Sequence, residues 1–171
     1  MFYFMNDYKT LYKKVLKEYQ TFSKCARLHV AALLVENGRI LCCGYNGTPT
    51  GQCNCNELFC DNINNGYQQY MLRNDKTKPW KTVTEQIWRE KHHEYSLENE
   101  LHAEMNCIAS ACKSHIPVQN CSMVISLAPC ENCAKLIFAS GIKHVMYVDE
   151  YDRGSKGIEF LKRNGVTVEQ I

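Results

Sequence analysis

No apolar run in the 171-residue chain approaches the roughly 20 residues that a helix needs to cross a bilayer, so no membrane partner is expected. The opening stretch Met1-Phe2-Tyr3-Phe4-Met5-Asn6-Asp7 lacks the basic start and small-residue cleavage site of an export signal. A reducing cytoplasm is therefore the expected compartment. An excess of one charge is also missing. Twenty Lys and Arg face eighteen Asp and Glu, a formal net charge of +2. That is too weak to mark a nucleic-acid polymer as partner, but it is compatible with a small anionic substrate. There is no internal repeat and no low-complexity tract. With 45% apolar and 22% charged residues the composition is that of an ordinary globular domain, and disorder is not expected.

Cysteine, by contrast, is abundant: eleven residues, an odd number. Without an export signal, metal ligation or plain buried thiols are better readings than disulfides. Cys42, Cys43, Cys107 and Cys112 lie in apolar stretches and read as small core hydrophobes.

Periodicity gives the elements. Leu11, Tyr12, Val15, Leu16, Tyr19 and Phe22 recur at helical spacing, which predicts a helix over Asp7 to Ser23 capped by Asn6 or Asp7. Val30 to Val35 and Ile40 to Tyr45 read as two strands joined by an Asn37-Gly38 turn. From Asn46 to about Glu98 the composition changes to Gly, Pro, Asn and Gln, with a helix expected near Val83 to His93. A loop this long is usually functional or stapled by metal. The chain is thus one domain, 1–171, with a functional insertion at about 52–98. Regular order returns with a helix over His102 to Lys113, a strand over Ser122 to Leu127 and a helix over Cys130 to Ser140. A strand over Lys143 to Val148, a helix over Gly157 to Arg163 and a strand over Val166 to Glu169 complete the chain. Strand and helix in alternation imply parallel crossovers, hence an α/β class with a mixed sheet.

Two short stretches carry chemistry: His102-Ala103-Glu104 and Pro129-Cys130-Glu131-Asn132-Cys133. Each opens a helix, and both helices follow crossovers of one sheet, so their N-termini can face one point at its edge. Cys130 and Cys133, three apart, share a helical face. One imidazole and two thiolates hold a zinc ion and leave a fourth tetrahedral position open, the mark of a catalytic rather than a structural metal. Two thiolates cancel the charge of Zn2+, so such a centre acidifies water less than a tris-histidine one. The helix N-termini offset this only in part. A nearby carboxylate must then take the proton, and Glu104 is placed to do so.

This pattern resembles the signature of the zinc-dependent cytidine deaminase superfamily. Within it the chain is similar to deoxycytidylate deaminases of the phage type. The resemblance runs from about Asp7 to Val168. It rests on Gly44-Tyr45-Asn46-Gly47-Thr48-Pro49-Thr50-Gly51, Asn99 to Asn106, Leu127 to Lys135 and Ser140-Gly141-Ile142-Lys143. It implies a cytidine-deaminase-like three-layer α/β/α fold with a mixed five-stranded sheet. It also implies hydrolysis of dCMP to dUMP and ammonia, which supplies dUMP for thymidylate synthesis. In that chemistry Glu104 moves a proton from the attacking water to N3 of cytosine and then to the departing amine.

Further implications come from the same source. Arg27 would meet the 5′-phosphate, Asn46 the sugar, and Ala103, Ala128 and Tyr151 would line the substrate pocket. Such enzymes are homohexamers, activated by dCTP with Mg2+ and inhibited by dTTP at a site around Gly44, Tyr45, Asn46 and Gly47. A second, structural zinc would fall on Cys25, Cys55, His92 and Glu100, with Cys53, Cys60 and His93 near enough in sequence to leave its register open. The alternatives that share the zinc core are an RNA- or DNA-editing deaminase and a riboflavin-type or guanine deaminase. A zinc-stabilised interaction module without catalysis has no use for Glu104.

Overall fold

The computed structural model describes residues 3–59, 63–64, 67–70, 81–151 and 154–171, with side chains described for 8–59, 90–151 and 154–171. The chain divides into two compact units. No described helix is long and apolar enough to cross a membrane.

The first unit comprises 1–23, 29–46 and 102–171. Helix α1 spans Tyr3–Gln20. It starts earlier than its periodicity suggests, so Asn6 and Asp7 lie inside it rather than at its cap. Tyr12 and Leu16 are buried, but Leu11 and Phe22, which share their apolar character, are exposed. β1 (Ala31–Glu36) and β2 (Arg39–Tyr45) form the expected hairpin, with Asn37 at φ 49° and Gly38 at φ 79° in its turn. α4 (Ala103–Lys113), β6 (Ser122–Leu127), α5 (Glu131–Ala139), β7 (His144–Asp149), α6 (Ser155–Arg163) and β8 (Thr167–Gln170) follow in the predicted alternation.

The sheet order is β2-β1-β6-β7-β8. β1 runs antiparallel to β2 and to β6, while β6, β7 and β8 run parallel. The mixed five-stranded sheet is thus as expected. Alternation of side chains along each strand explains the layers. Ala32, Leu34, Met123, Ile125 and Val145 face one core with Ile108, Ile137 and Leu161 of the three helices α4, α5 and α6. Leu33, Val35, Val124 and Met146 face the other core with Tyr12 and Leu16 of α1. Each fully buried aliphatic side chain contributes about 1.5–3 kcal/mol relative to exposure. Cys107 belongs to the first core, Cys42 and Cys43 are half-buried, and Cys112 is exposed, so it is not the core thiol that its apolar neighbours suggest.

The second unit comprises 24–28 and 47–101. It holds α2 (Cys55–Leu58), a small antiparallel sheet of β3 (Ile63–Asn64), β4 (Tyr67–Tyr70) and β5 (Lys81–Thr84), and α3 (Glu85–Asn99). The helix expected near Val83 to His93 is present but starts later and runs six residues further, and the three short strands are not evident from the sequence. An isolated bridge pairs Gly47 with Leu101.

One close approach fixes the site-bearing helix. A Cβ built on buried Gly44 of β2 would lie 2.4 Å from the Cys107 nitrogen and 2.5 Å from the Ala103 oxygen, both backbone atoms of α4. Backbone cannot yield as a side-chain tip can. Gly44→Ala should therefore destabilise the protein by about 1–3 kcal/mol. Thermal unfolding checks this; an unchanged melting temperature would show that α4 can shift freely on β2.

Candidate active site

His102 and Cys130 occupy equivalent places. Each is the N-cap of its helix, His102 of α4 and Cys130 of α5, and neither makes a side-chain capping bond. Their side chains turn instead toward each other. His102 Nδ1 lies 3.5 Å from Cys130 Sγ and 3.3 Å from Cys133 Sγ. The three donor atoms lie within 4.8 Å of one another, close enough to share one ion. The strand that leads into them is held by a side chain: Ala31 N donates to the buried Ser126 Oγ at 3.0 Å, continuing the β1–β6 pairing past its last registered pair, Ala32–Ile125.

The electrostatics suit a cation. A hydrogen bond from the Cys133 thiol holds Cys130 well below the ordinary thiol range, with His102 adding to the effect against the desolvation of burial. The same shared proton, followed by burial, pushes Cys133 up. The pair thus gives up one proton readily and retains the second until a cation replaces it. Glu104, at the second position of α4, is 4% exposed. Burial pushes its carboxyl up, opposed by its own backbone N–H and by His102. A buried carboxyl of raised affinity for protons beside a metal-binding group is suited to taking and returning a proton.

Two contacts here escape sequence reasoning. Ser126 has no motif. Gly157 of α6 sits against the Pro129–Cys130 segment: a Cβ there would lie 2.2 Å from the Pro129 oxygen and 3.0 Å from Cys130 backbone atoms. A glycine inside a helix is a signal of close approach, although the partner is not readable from sequence.

Of the other nominated residues, Ala103 and Ala128 are buried, and Ala128 N donates to Asp149 O at 2.9 Å. Tyr151 is half-buried and accepts from Gly154 N at 2.7 Å. Asn46 is buried, Tyr45 is 40% exposed, and Gly44 lies under α4 as described. Arg27 belongs to the second unit, half-buried, two residues from Cys25.

The second unit holds a cluster of its own. Cys25, Cys55, His92 and Glu100 are all buried and bring one donor atom each within 4.8 Å of the others. His92 Nε2 lies 3.4 Å from Cys25 Sγ and 3.2 Å from Cys55 Sγ. The Cys55 thiol holds Cys25 low, helped by His92 and by the backbone N–H groups of Leu28 and Arg27. Ser96 donates to Glu100 Oε2 at 2.6 Å, while the buried Oε1 has no hydrogen-bond partner among the described residues. Burial pushes the Glu100 carboxyl up. Two sulfurs, one imidazole and one buried carboxylate oxygen form a complete tetrahedral set for zinc. Cys53 stands apart, with its thiol donating to Glu57 at 3.2 Å, and His93 is not a member either. Cys60 lies outside the described residues.

Comparison with known proteins agrees with the geometry. The pattern described as the cytidine and deoxycytidylate deaminase zinc-binding region matches residues 5–149. A deoxycytidylate deaminase of Enterobacteria phage T4 is 34% identical over 152 residues, covering 83% of this chain and 78% of the relative. A dCMP deaminase of the cyanophage S-TIM5, solved in complex with dCMP and dUMP, is 30% identical with a TM-score of 0.68, covering 95% of this chain and 96% of that one. Its apo form gives a TM-score of 0.65 at 29% identity. The chain belongs to the cytidine and deoxycytidylate deaminase family.

Proposed function

We propose that this chain hydrolyses dCMP to dUMP and ammonia. The observation that carries the reading is the buried Glu104, two residues beyond the His102 that clusters with Cys130 and Cys133. The likeness to deaminases whose names specify dCMP supports the choice of nucleotide. A zinc ion held by His102, Cys130 and Cys133 would supply Lewis acidity and lower the pKa of the attacking water. Glu104 takes a proton from the attacking water and delivers it to N3 of the ring as the water oxygen bonds to C4. It then carries the second water proton to the amino group. The C4–N bond breaks, ammonia leaves, and C4 keeps the oxygen as a carbonyl. The N-termini of α4 and α5 hold partial positive charge at the thiolates and favour their ionised form.

Arg27 is assigned to the 5′-phosphate, Asn46 to the sugar, and Ala103, Ala128 and Tyr151 to the walls around the base. The product dUMP would feed thymidylate synthesis. Cys25, Cys55, His92 and Glu100 are assigned a second, structural zinc, which satisfies the orphaned Glu100 oxygen and staples 24–28 to 47–101. The purified chain should then carry about two zinc ions, falling to about one in Cys133→Ser and in Cys55→Ser alike. Elemental analysis checks this. One zinc in the unmodified chain removes the second site, and two in Cys133→Ser would move the catalytic one.

We also assign regulation by dCTP with Mg2+ as activator and dTTP as inhibitor, in a homohexamer, around Gly44, Tyr45, Asn46 and Gly47. Glycine lets backbone amides approach phosphates. At Gly47 an added Cβ meets nothing within 4 Å, so a side chain can begin there without a clash and Gly47→Val tests the loop. Ammonia release from a panel of cytosine nucleotides should favour dCMP, with sigmoidal saturation that dCTP relieves and dTTP deepens. Gly47→Val should weaken both effectors. If dTTP no longer binds once a transition-state analogue fills the active site, it is a simple competitor and the separate effector site fails. Turnover of a polynucleotide, or of a riboflavin precursor, in place of dCMP would overturn the substrate assignment.

A further inference from the structure

Helix α6 has glycine at its N-cap, Gly154, and again at its third residue, Gly157. Glycine inside a helix lowers its stability relative to alanine, so something other than helix propensity places Gly157 there. The reason is what lies beneath. A Cβ on Gly154 would stand 2.7 Å from Ala128 Cβ. One on Gly157 would stand 2.2 Å from the Pro129 oxygen and 3.0 Å from the carbonyl carbon and oxygen of Cys130. Three consecutive residues, Ala128 to Cys130, thus rest on the start of α6. One turn further along, Leu161 is fully buried in the core it shares with Ile137 of α5.

These three residues need that support. Ala128 N donates to Asp149 O at 2.9 Å, a tie to the end of β7. Pro129 is buried and has no N–H with which to continue the ladder. The Cys130 carbonyl accepts from Ala134 N at 2.9 Å and so closes the first turn of α5. That turn spaces Cys133 from Cys130, and its carbonyl is the one against which Gly157 packs. His102 is set by a separate contact, Gly44 against the first turn of α4. A displacement of Cys130 would therefore not be followed by His102. The separations of 3.5 Å and 3.3 Å between His102 Nδ1 and the two sulfurs would change.

From this geometry we infer that Gly157 is a positioning residue for the metal centre: it admits α6 onto the Pro129–Cys130 backbone and so sets where Cys130 and Cys133 stand relative to His102. The inference rests on the reading above, in which those three side chains hold the zinc of a deaminase. α6 contributes no donor atom to that set, so its role is support. Any side chain at position 157 meets backbone, which cannot turn aside as a side-chain tip can. It drives Cys130 and the start of α5 away from α6, and the donors no longer converge on one point. The consequence is faster loss of metal from this site alone.

The test follows zinc release from the holoenzyme into an excess of chromogenic chelator. The phase that belongs to the active site is the one that Cys133→Ser lacks. Gly157→Ala should speed that phase about 10–100-fold, the range for groups that orient a metal ligand, and leave release from the Cys25 cluster within about twofold. Leu161→Ala loosens the seat of α6 without a clash and should speed the same phase less, about three- to tenfold. Leu16→Ala is the control, since it opens a comparable gap in the core on the other face of the sheet. There both phases should stay within about twofold of the unmodified chain. If Gly157→Ala does not fold, the comparison of Leu161→Ala with Leu16→Ala decides. Equal acceleration by those two, or of both phases together, would mean that release follows global stability. Unchanged release in Gly157→Ala would mean that α5 holds its first turn unaided. Each of these results overturns the inference. An unmodified chain without zinc on His102, Cys130 and Cys133 would fail the proposed function first, and the inference falls with it.

Discussion

The convergence of two helix N-termini on one edge of the sheet is the constraint on which the rest depends. A helix start normally consumes its N-cap side chain in satisfying orphan backbone N–H groups. Here the caps of α4 and α5 are His102 and Cys130, and neither side chain is spent that way. Both are released to meet at 3.5 Å, with Cys133 one turn further along α5. Everything that places the two helix starts therefore acts on the metal. Gly44 lets α4 lie directly on β2, and Gly157 lets α6 press on the Pro129–Cys130 segment. A bound cation repays the structure in turn, because it relieves two thiols that would otherwise contend for one proton.

The same physics recurs in the second unit with a different outcome. Cys25, Cys55 and His92 form a cluster like the first, but Glu100 closes the set with a fourth donor. In the first cluster the carboxylate, Glu104, is buried near the donors without belonging to the set of three. Three donors leave room for a substrate water, whereas four leave none. On the proposed assignment, the difference between a reactive and a structural metal would reduce to where one glutamate sits.

Much of this was legible in the sequence because it is carried by local pattern. The alternation of strands and helices after His102 gives the parallel half of the sheet, and Asn37-Gly38 gives the hairpin turn. His-Ala-Glu and Pro-Cys-x-x-Cys contain the three donors, His102, Cys130 and Cys133, that the fold brings together. The four members of the second cluster lie far apart in the chain, and only the family resemblance could nominate them. What stayed hidden depends on tertiary contact. Nothing about Ser126 or Gly157 in sequence announces its partner. Leu11 and Phe22 match the period of the buried helix face yet point to solvent, and Cys112 does the same from an apolar stretch. The strands between Ile63 and Thr84 are too short, and too polar, for a period-two signal to emerge from their surroundings.

The central claim is that Glu104 moves protons and does not hold the metal. Glu104→Gln keeps the side chain's shape while removing its capacity to accept a proton. The measurement is zinc content and dCMP turnover on the same preparation. The account predicts unchanged zinc with ammonia release lowered by about 10²–10⁴, the range of a general acid–base group. Near-normal turnover at full zinc content would contradict it.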